Sequence, residues 1–275
     1  MKSNLESRIK LNNGIEIPFL GIGVYQSQPG KVTQNAVAFA IKNGYRLVDT
    51  AKLYGNERDV GRAVKQSGIK RDEVFITTKL WNSDHGYEKT LQAFNKSLEQ
   101  LDLGYIDLYL IHWPVQGLRN ESWRAMTELM EQDRTRAIGV SNYTIDHLKD
   151  LFENSDVVPA VNQVEFHPFL YEEELLNFCR DHKIQVEAYS PLTRGARLRH
   201  PTIVELASKY SKTPAQVLIR WGLQHELVVI PKSVREERII ENSKVFDFEI
   251  SKNDMDSLDS LGQGLHMDWD PTGVP

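Results

Sequence analysis

Residues 106–113 read IDLYLIHW, an apolar run of strand length that ends in a histidine and a tryptophan just before Pro114. The run does not alternate between apolar and polar residues, which is typical of a strand buried on both faces. Seven further apolar runs of strand length occur along the chain, at residues 19–24, 46–50, 74–80, 136–141, 160–166, 184–190 and 228–231. The pattern predicts eight buried strands.

Helical patterns lie between these runs. One example is the stripe formed by Leu91, Phe94, Leu98 and Leu101, whose spacing places all four side chains on one face of a helix. Eight alternating strand and helix units within about 250 residues favour a closed (β/α)8 TIM barrel of parallel strands. A six-stranded doubly wound sheet is the alternative, but its glycine fingerprint is incomplete, because no third glycine follows the pair within residues 21–23.

The segment from Ile9 to Ile17 precedes the first of these runs. It carries an Asn-Gly pair, Asn13 and Gly14, between two short apolar segments, which predicts a β-hairpin. In front of a barrel, such a hairpin would cap the bottom. No linker or low-complexity run divides the sequence, so we expect a single domain over residues 1–275.

Composition narrows the class of protein. The chain has 33 Lys and Arg against 38 Asp and Glu, a formal net charge of −5 that weighs against nucleic-acid binding. Cys179 is the only cysteine, so no intrachain disulfide can form and a reducing compartment is expected. The first ten residues lack a signal-peptide core, and no run approaches the roughly 18 apolar residues of a membrane span. We therefore expect a cytoplasmic protein with no membrane partner.

Polar residues that could take part in catalysis lie at the ends of three neighbouring predicted strands. These ends carry Asp49, Lys79 and His112, and Tyr54 follows in the loop after the first of them. Taken singly, they have ordinary explanations as a helix cap, a solvated lysine, a core histidine and a surface phenol. Taken together, they converge at the barrel mouth, where active sites of such barrels lie. A buried Lys79 needs a charged partner, and Asp49 is the natural one.

These segments resemble the signature sequences of the aldo-keto reductase family. The resemblance runs from Gly21 to about Ile250 and rests on eight segments in order: LVDTA (47–51), YGNE (54–57), TKLW (78–81), DLYLIHWP (107–114), IGVSN (138–142), NQVE (162–165), AYSPL (188–192) and IPKS (230–233). It implies an NADPH-dependent enzyme that reduces aldehydes or ketones to alcohols.

The resemblance implies that Asp49, Tyr54, Lys79 and His112 form a catalytic tetrad. When hydride reaches the carbonyl carbon, negative charge grows on the oxygen, and Tyr54 would give it a proton. A free phenol has a pKa near 10, so an ammonium at Lys79 is expected to favour the phenolate and lower the pKa of Tyr54. Asp49 would orient Lys79, and His112 would hydrogen-bond the carbonyl oxygen.

By the same resemblance, the cofactor NADPH or NADP+ would lie across the strand ends. Ser141, Asn142 and Gln163 would hold the nicotinamide carboxamide, and Tyr189 would stack on the ring. The complete expected set of cofactor-binding residues is Gly23, Val24, Tyr25, Asp49, Ser141, Asn142, Gln163, Tyr189, Ser190, Pro191, Leu192, Ile230, Lys232, Ser233, Val234, Arg238, Glu241 and Asn242.

The far end of the cofactor site depends on a short basic segment. Lys232, Ser233 and Arg238 would bind the adenosine 2′-phosphate, while Glu241 and Asn242 would hold the adenine. Ser233 is predicted to open a helix, and helix N-termini attract anions. A solvated basic turn without a ligand is the alternative interpretation.

The expected substrate pocket is aromatic. Its residues are Tyr25, Tyr54, Trp81, His112 and Trp113, and Trp269 of the tail would close it. Tyr25 stands where many relatives carry tryptophan, and the segment from Thr193 to His200 is short and rich in arginine. The resemblance is nearest to the compact prokaryotic members, which implies small aldehydes, α-dicarbonyls or keto-sugar acids as substrates and no means of choosing among them.

Other functions fit the residues less well. An aldolase with a Schiff base at Lys79 explains the lysine, but leaves Asn162, Gln163, Tyr189 and the basic segment around Lys232 without a common purpose. A non-catalytic binding protein would not need all four tetrad positions filled. The histidines show no metal-binding spacing, so no metal is expected. The expected partner is a small carbonyl compound, and the expected oligomeric state is a monomer.

Overall fold

Eight parallel strands lie side by side in chain order in the computed structural model, which describes residues 4–274. They are β3 (Ile22–Gly23), β4 (Leu47–Asp49), β5 (Phe75–Leu80), β6 (Ile106–Ile111), β7 (Thr135–Ser141), β8 (Val161–Glu165), β9 (Gln185–Tyr189) and β10 (Val228–Val229). The first and last strands also meet, because Gly21 N donates to Val229 O at 2.9 Å and Val229 N donates to Phe19 O at 2.8 Å. The predicted eight strands and the closed barrel are confirmed.

Helices follow the strands and cover them. Within residues 4–274 they are α1 (Lys31–Lys42), α2 (Glu57–Ser67), α3 (Tyr87–Leu101), α4 (Arg119–Glu131), α5 (Ile145–Asn154), α6 (Glu173–Asp181), α7 (Pro201–Lys209), α8 (Pro214–Gln224), α9 (Glu236–Ser243) and α10 (Lys252–Asp259). Their apolar residues, such as Val37 and Phe94, join strand residues such as Ile76 in one buried cluster. None of these helices has both the length and the apolar character needed to span a membrane.

The N-terminal hairpin closes the bottom of the barrel. Strands β1 (Arg8–Lys10) and β2 (Glu16–Pro18) pair antiparallel. Ile17 has no solvent exposure, and it packs with barrel residues such as Leu47 and Phe75 in one cluster. Asn12 Nδ2 donates at 3.0 Å to the carbonyl of Pro159, which lies just before β8 and so marks the strand entry side. The predicted capping hairpin is confirmed.

The inside of the barrel changes character from bottom to top. Because side chains alternate along a strand, Leu47 and Asp49 of β4 point to the same side. Leu47 belongs to the apolar cluster at the bottom, whereas Asp49 lines the cleft at the top. Close packing in this interior requires glycine at position 139, where a Cβ atom would lie 2.5 Å from the carbonyl oxygen of Val161. The polar side chains are thus held above a rigid apolar floor.

Candidate active site

The C-terminal ends of the barrel strands open into a cleft of about 1200 Å³. Each strand end contributes to the lining: Gly23, Asp49, Trp81, His112, Ser141, Gln163, Tyr189 and Ile230. The other sequence-predicted residues that line it are Tyr25, Tyr54, Trp113, Asn142, Ser190, Pro191, Leu192, Lys232, Ser233, Val234, Arg238, Glu241 and Asn242. Lys79 lies beneath the floor of the cleft, and Val24 packs in the core between barrel and helices.

Lys79 is completely buried and fully hydrogen-bonded. Its Nζ lies 2.6 and 2.8 Å from the two carboxylate oxygens of Asp49 and donates to the carbonyl of Thr50 at 2.9 Å. It also reaches the Tyr54 hydroxyl at 3.4 Å. An ammonium has three protons to donate, and these three residues take them. The predicted contact between Lys79 and Asp49 is therefore present, and the same ammonium also contacts Tyr54.

The loop after β4 fixes Tyr54 over this ion pair. A 3₁₀ turn over Lys52–Tyr54 ends at Gly55, which adopts φ 65°. Asn56, which has no exposure, then ties the loop down: it accepts from Thr50 Oγ1 at 2.7 Å and donates to the Val24 carbonyl at 3.0 Å. The phenol is thus positioned by a local turn and a buried amide rather than by a free loop.

The pKa of Tyr54 moves in the opposite direction from the one expected. Burial raises the pKa of this phenol well above its usual value, and the nearby Asp49 carboxylate raises it further. Lys79 does not reverse this, because both oxygens of Asp49 face its ammonium and compensate its charge. The expectation of a lowered pKa is wrong: the site holds Tyr54 as a neutral phenol, the form that can give a proton.

His112 faces the same cleft as a neutral ring. Burial lowers the pKa of His112 well below its usual value, and the Lys79 ammonium lowers it further. Its Nδ1 is buried and has no hydrogen-bond partner within residues 4–274. A proton there would find no acceptor, so the neutral tautomer favoured is the one with hydrogen on Nε2. Edge-on contact with the Trp81 ring, at 5.2 Å between centroids, orients the imidazole.

The residues expected to hold the carboxamide are linked to one another. Ser141 Oγ donates to the Gln163 carbonyl at 2.8 Å, and Asn142 Nδ2 donates to the His112 carbonyl at 3.0 Å. Tyr189 Oη donates to Asn142 Oδ1 at 2.8 Å. Asn142 adopts φ 63°, a left-handed conformation that asparagine tolerates better than most residues. The strand ends of β7, β8 and β9 therefore form one connected polar wall.

Gln163 also connects the tetrad to an acid that sequence reasoning missed. Its Nε2 lies 2.9 Å from Asp49 Oδ2 and 3.0 Å from Oε2 of Glu187, a residue with no exposure. The signal in the sequence was a single glutamate inside the apolar run of residues 184–190.

The basic end of the cleft differs locally from the expectation. Helix α9 begins at Glu236, so Ser233 does not open it, and Arg235 is the N-cap residue. Ser233 Oγ instead accepts from Arg235 N at 3.1 Å, which fixes the turn that leads into the helix. Glu241 Oε1 accepts from Thr213 Oγ1 at 2.6 Å, a contact with a residue that the sequence did not place at the site. Lys232 and Arg238 are exposed along this end.

Aromatic side chains surround the opening near Tyr54. The Tyr25 ring lies 4.9 Å from that of Tyr54, and the Trp113 ring lies 5.5 Å from that of Trp269. Trp269 is 66% exposed, so the tail brings an apolar surface to the mouth of the cleft. Leu53, which the sequence did not single out, also lines the cleft.

The arginine-bearing segment after β9 meets the C-terminal tail across the cleft. Arg194 forms an ion pair with Asp268. The backbone amides of Met267 and Asp268 donate to Glu165 of β8 at 2.8 and 3.1 Å, which anchors the tail. Ser190 and Arg194 adopt φ values of 48° and 52°, and such strained backbone is typical of functional sites. Nothing in the local sequence indicates that Met267 and Asp268 line the cleft, because the contact joins distant segments.

Comparison with known proteins gives one family. A sequence model of the aldo/keto reductase family matches residues 20–263. The chain is 49% identical over 263 residues to a glyoxal reductase of Bacillus subtilis, covering 96% of this chain and 95% of the relative. It is 44% identical over 267 residues to the methylglyoxal reductase DkgA of Escherichia coli, covering 96% of each chain.

Solved structures agree with the sequence relatives. MGS-M4, an aldo-keto reductase from a deep-sea metagenome, is 46% identical with a TM-score of 0.94, covering 98% of this chain and all of that chain. An aldo-keto reductase of Bombyx mori in complex with NADP is 33% identical with a TM-score of 0.90, covering 95% and 94% of the two chains.

Proposed function

Since the chain belongs to the aldo-keto reductase family, we propose that it reduces small aldehydes and α-dicarbonyl compounds to alcohols with NADPH, and that Tyr54 is the general acid. The observation that supports this proposal is the pair of hydrogen bonds by which Lys79 joins Asp49 to Tyr54. The phenol of Tyr54 is neutral, and it faces the same cleft as the neutral ring of His112. Membership of the family supports the oxidoreductase class, and the residues of the site support Tyr54 as the proton donor.

The reaction needs two donors acting on one carbonyl group. NADPH, when bound, supplies the hydride that forms the new carbon–hydrogen bond. As the carbonyl double bond breaks toward oxygen, Tyr54 donates its proton to that oxygen, and the resulting phenolate lies beside Lys79. His112 donates a hydrogen bond from Nε2 to the same oxygen and holds it next to Tyr54. The net result is an alcohol, an oxidised nicotinamide and a tyrosinate that water reprotonates.

The residues of the cleft fit a nicotinamide dinucleotide. At the tetrad end, Gln163 directs its Nε2 toward Asp49 and Glu187, so its amide oxygen is left to accept from a carboxamide. Tyr189 is held by Asn142 and lines the same wall. At the other end, Lys232 and Arg238 line the cleft with two positive charges. Such side chains can form charge-assisted hydrogen bonds to a phosphate group. These residues would hold the two ends of the cofactor.

The preference for α-dicarbonyls rests on the relatives and on the aromatic lining of the mouth. Relatives named glyoxal reductase and methylglyoxal reductase are close in sequence. Tyr25, Trp81 and Trp113 line the same cleft as Tyr54 and His112, which gives the entrance an aromatic surface that suits compounds partly apolar next to the carbonyl. A cytoplasmic location and a monomeric state stay predictions from the sequence.

The aldolase alternative has less support from the geometry. A Schiff base needs a lysine amine that a carbonyl can reach, whereas Lys79 has no exposure and donates all its protons to Asp49, Thr50 and Tyr54. Borohydride trapping of a dicarbonyl on Lys79 would nevertheless support that alternative, and we expect no adduct by mass spectrometry.

The proposed function is tested by NADPH oxidation against a panel of aldehydes, ketones and keto acids. We expect turnover with glyoxal and methylglyoxal, and on the order of a hundredfold or greater loss in Tyr54→Phe, because general acids contribute on that scale. Fluorescence titration should show NADPH affinity nearly unchanged in Y54F. Tyr105→Phe is the matched control, because Tyr105 packs on Arg71 away from the cleft. Full activity in Y54F, or no oxidation with any carbonyl, would overturn the proposal.

A further inference from the structure

A buried acid lies below the tetrad and takes no part in the reaction described above. Glu187 of β9 has no solvent exposure, and its Oε2 accepts from Gln163 Nε2 at 3.0 Å. Its Oε1 is buried without a hydrogen-bond partner in the described part of the chain. A buried carboxyl that makes one contact to a polar amide of the cofactor wall calls for an explanation, since unpaired buried polar atoms are costly.

The contact fixes which way round the Gln163 amide sits. The NH2 group of a glutamine has two protons, and here two carboxyl groups accept them: Asp49 Oδ2 at 2.9 Å and Glu187 Oε2 at 3.0 Å. With both donors turned down into the barrel, the amide oxygen has to face the cleft. Removing Glu187 leaves one of the two donors without an acceptor, and Asp49 alone then holds the amide in this orientation.

The charges around Glu187 favour its neutral form. Burial raises the pKa of Glu187 to about 8, and the Asp49 carboxylate adds to the rise, while the Gln163 hydrogen bond and the Lys79 ammonium oppose it. The charged groups that face it are Asp49 from β4 and Lys79 from β5, and its neighbour in β10 is the apolar Val228. When Glu187 is neutral, the buried charges here are the single balanced pair of Asp49 and Lys79. When Glu187 is ionised, a second negative charge lies beside that pair.

We propose that Glu187 is a positioning residue for the reductase site, which holds the Gln163 amide with the oxygen toward the cofactor. This contact acts on cofactor binding, because Gln163 would meet the carboxamide. A negative charge on Glu187 would act on turnover, because it adds to that of Asp49 and disfavours the phenolate. This inference rests on the proposed function.

The test distinguishes an effect on the orientation of the Gln163 amide from a general loss of protein stability. Glu187→Leu should raise the NADPH Kd about tenfold, which is the scale of one lost hydrogen bond, and Glu187→Gln, which copies the neutral acid, should recover most of that affinity. Gln163→Leu should lose at least as much as E187L, because Gln163 itself would contact the carboxamide, and the double variant should lose no more than Q163L alone, because Glu187 acts only through Gln163. Thermal unfolding of each variant identifies any that fails to fold, and then the E187Q and Q163L pair decides.

The pH profile is the second readout. In the wild type, kcat for glyoxal should fall as pH rises through about 8, and E187Q should lack that fall. Additive losses in the double variant, an unchanged NADPH Kd in E187L, or the same alkaline fall in E187Q would each overturn the inference while leaving the reductase function intact. If the wild type neither binds NADPH nor reduces any carbonyl, the proposed function fails, and this inference fails with it.

Discussion

Lys79 Nζ bridges both carboxylate oxygens of Asp49, at 2.6 and 2.8 Å, and neither side chain reaches solvent appreciably. Buried charges of this kind are tolerated because each is the other's partner. The pair also explains the state of Tyr54: since Asp49 compensates the ammonium, the phenol stays protonated until charge develops on the substrate oxygen. Lys79 therefore contacts the resting phenol without ionising it, and stabilises the phenolate that forms.

Lys79→Met should damage both stability and activity. It leaves Asp49 buried without its partner, which costs about 3–5 kcal/mol of unfolding free energy. It also removes the cation beside the Tyr54 phenolate, so we expect kcat to fall on the order of a hundredfold or more. Urea unfolding and steady-state kinetics measure the two effects.

A double variant separates these effects. Asp49→Leu combined with Lys79→Met should recover much of the stability, because an apolar pair of similar volume can replace a buried ion pair at little cost. It should recover no activity. If K79M alone unfolds at the wild-type urea concentration, the ion pair is not a stabilising unit of the barrel.

Glu187 should make the protein less stable as pH rises from 5 to 8. The unfolded side chain has a pKa of about 4.3, whereas burial and the Asp49 carboxylate raise its folded pKa to about 8. Between these values the folded state binds the extra proton, so the free energy of unfolding falls as pH rises. Glu187→Gln has no such proton, and its unfolding free energy should lose less over that range.

The difference between the wild type and E187Q isolates this contribution. His112 acts in the opposite direction, because burial and the Lys79 ammonium lower its folded pKa, and stability from this residue grows as pH rises toward about 6.5. Both proteins carry His112, so its effect cancels in the difference. Parallel curves of unfolding free energy against pH would contradict a buried neutral Glu187.

The strand ends were predictable because the apolar runs stop there. Asp49, Lys79 and His112 each lie at or near the C-terminal end of a predicted strand, so a parallel barrel brings them to one mouth. Glu187 was not predictable in the same way. It sits inside such a run, and only the register between β8 and β9, which pairs Gln163 with Glu187, shows that it faces the barrel interior beside an active-site amide.

The basic end and the tail show the other limits of the sequence. A serine before a charged segment is a common start of a helix, but Ser233 closes a turn on Arg235 and the helix begins three residues after it. The pairing of Arg194 with Asp268 joins two irregular segments, and neither has a periodic pattern that could reveal it. Positions set by tertiary contact between loops therefore had to come from the structure.

Trp81→Ala should change the order of substrates more than the affinity for NADPH. Trp81 packs edge-on against His112 and lines the aromatic entrance. Removing the ring widens that entrance, so kcat/KM for a bulky aromatic aldehyde should rise relative to that for glyoxal by several fold. Kinetics with both substrates and an NADPH titration measure the change. Equal losses for small and bulky substrates would mean that Trp81 only supports the fold around His112.

The cofactor preference should depend on Lys232 and Arg238. NADPH differs from NADH by a phosphate on the adenosine ribose, and both cations line that end of the cleft. Charge-assisted hydrogen bonds to a phosphate are stronger than neutral ones. Two or three exposed contacts, screened by salt, should favour NADPH by on the order of a hundredfold. NADH should therefore bind weakly without being excluded.

Replacing Lys232 and Arg238 together by methionine should raise the KM for NADPH steeply and leave that for NADH almost unchanged. The matched control is Lys149→Met with Lys252→Met, which removes the same charge from exposed helix surfaces outside the cleft and tests for a long-range effect of net charge. The contrast should shrink at high salt, because the contacts are open to solvent. If the wild type uses both cofactors equally, or the double variant keeps its preference, the phosphate is bound elsewhere. Arg194 and Arg199, which line the same cleft, are then the residues to replace next.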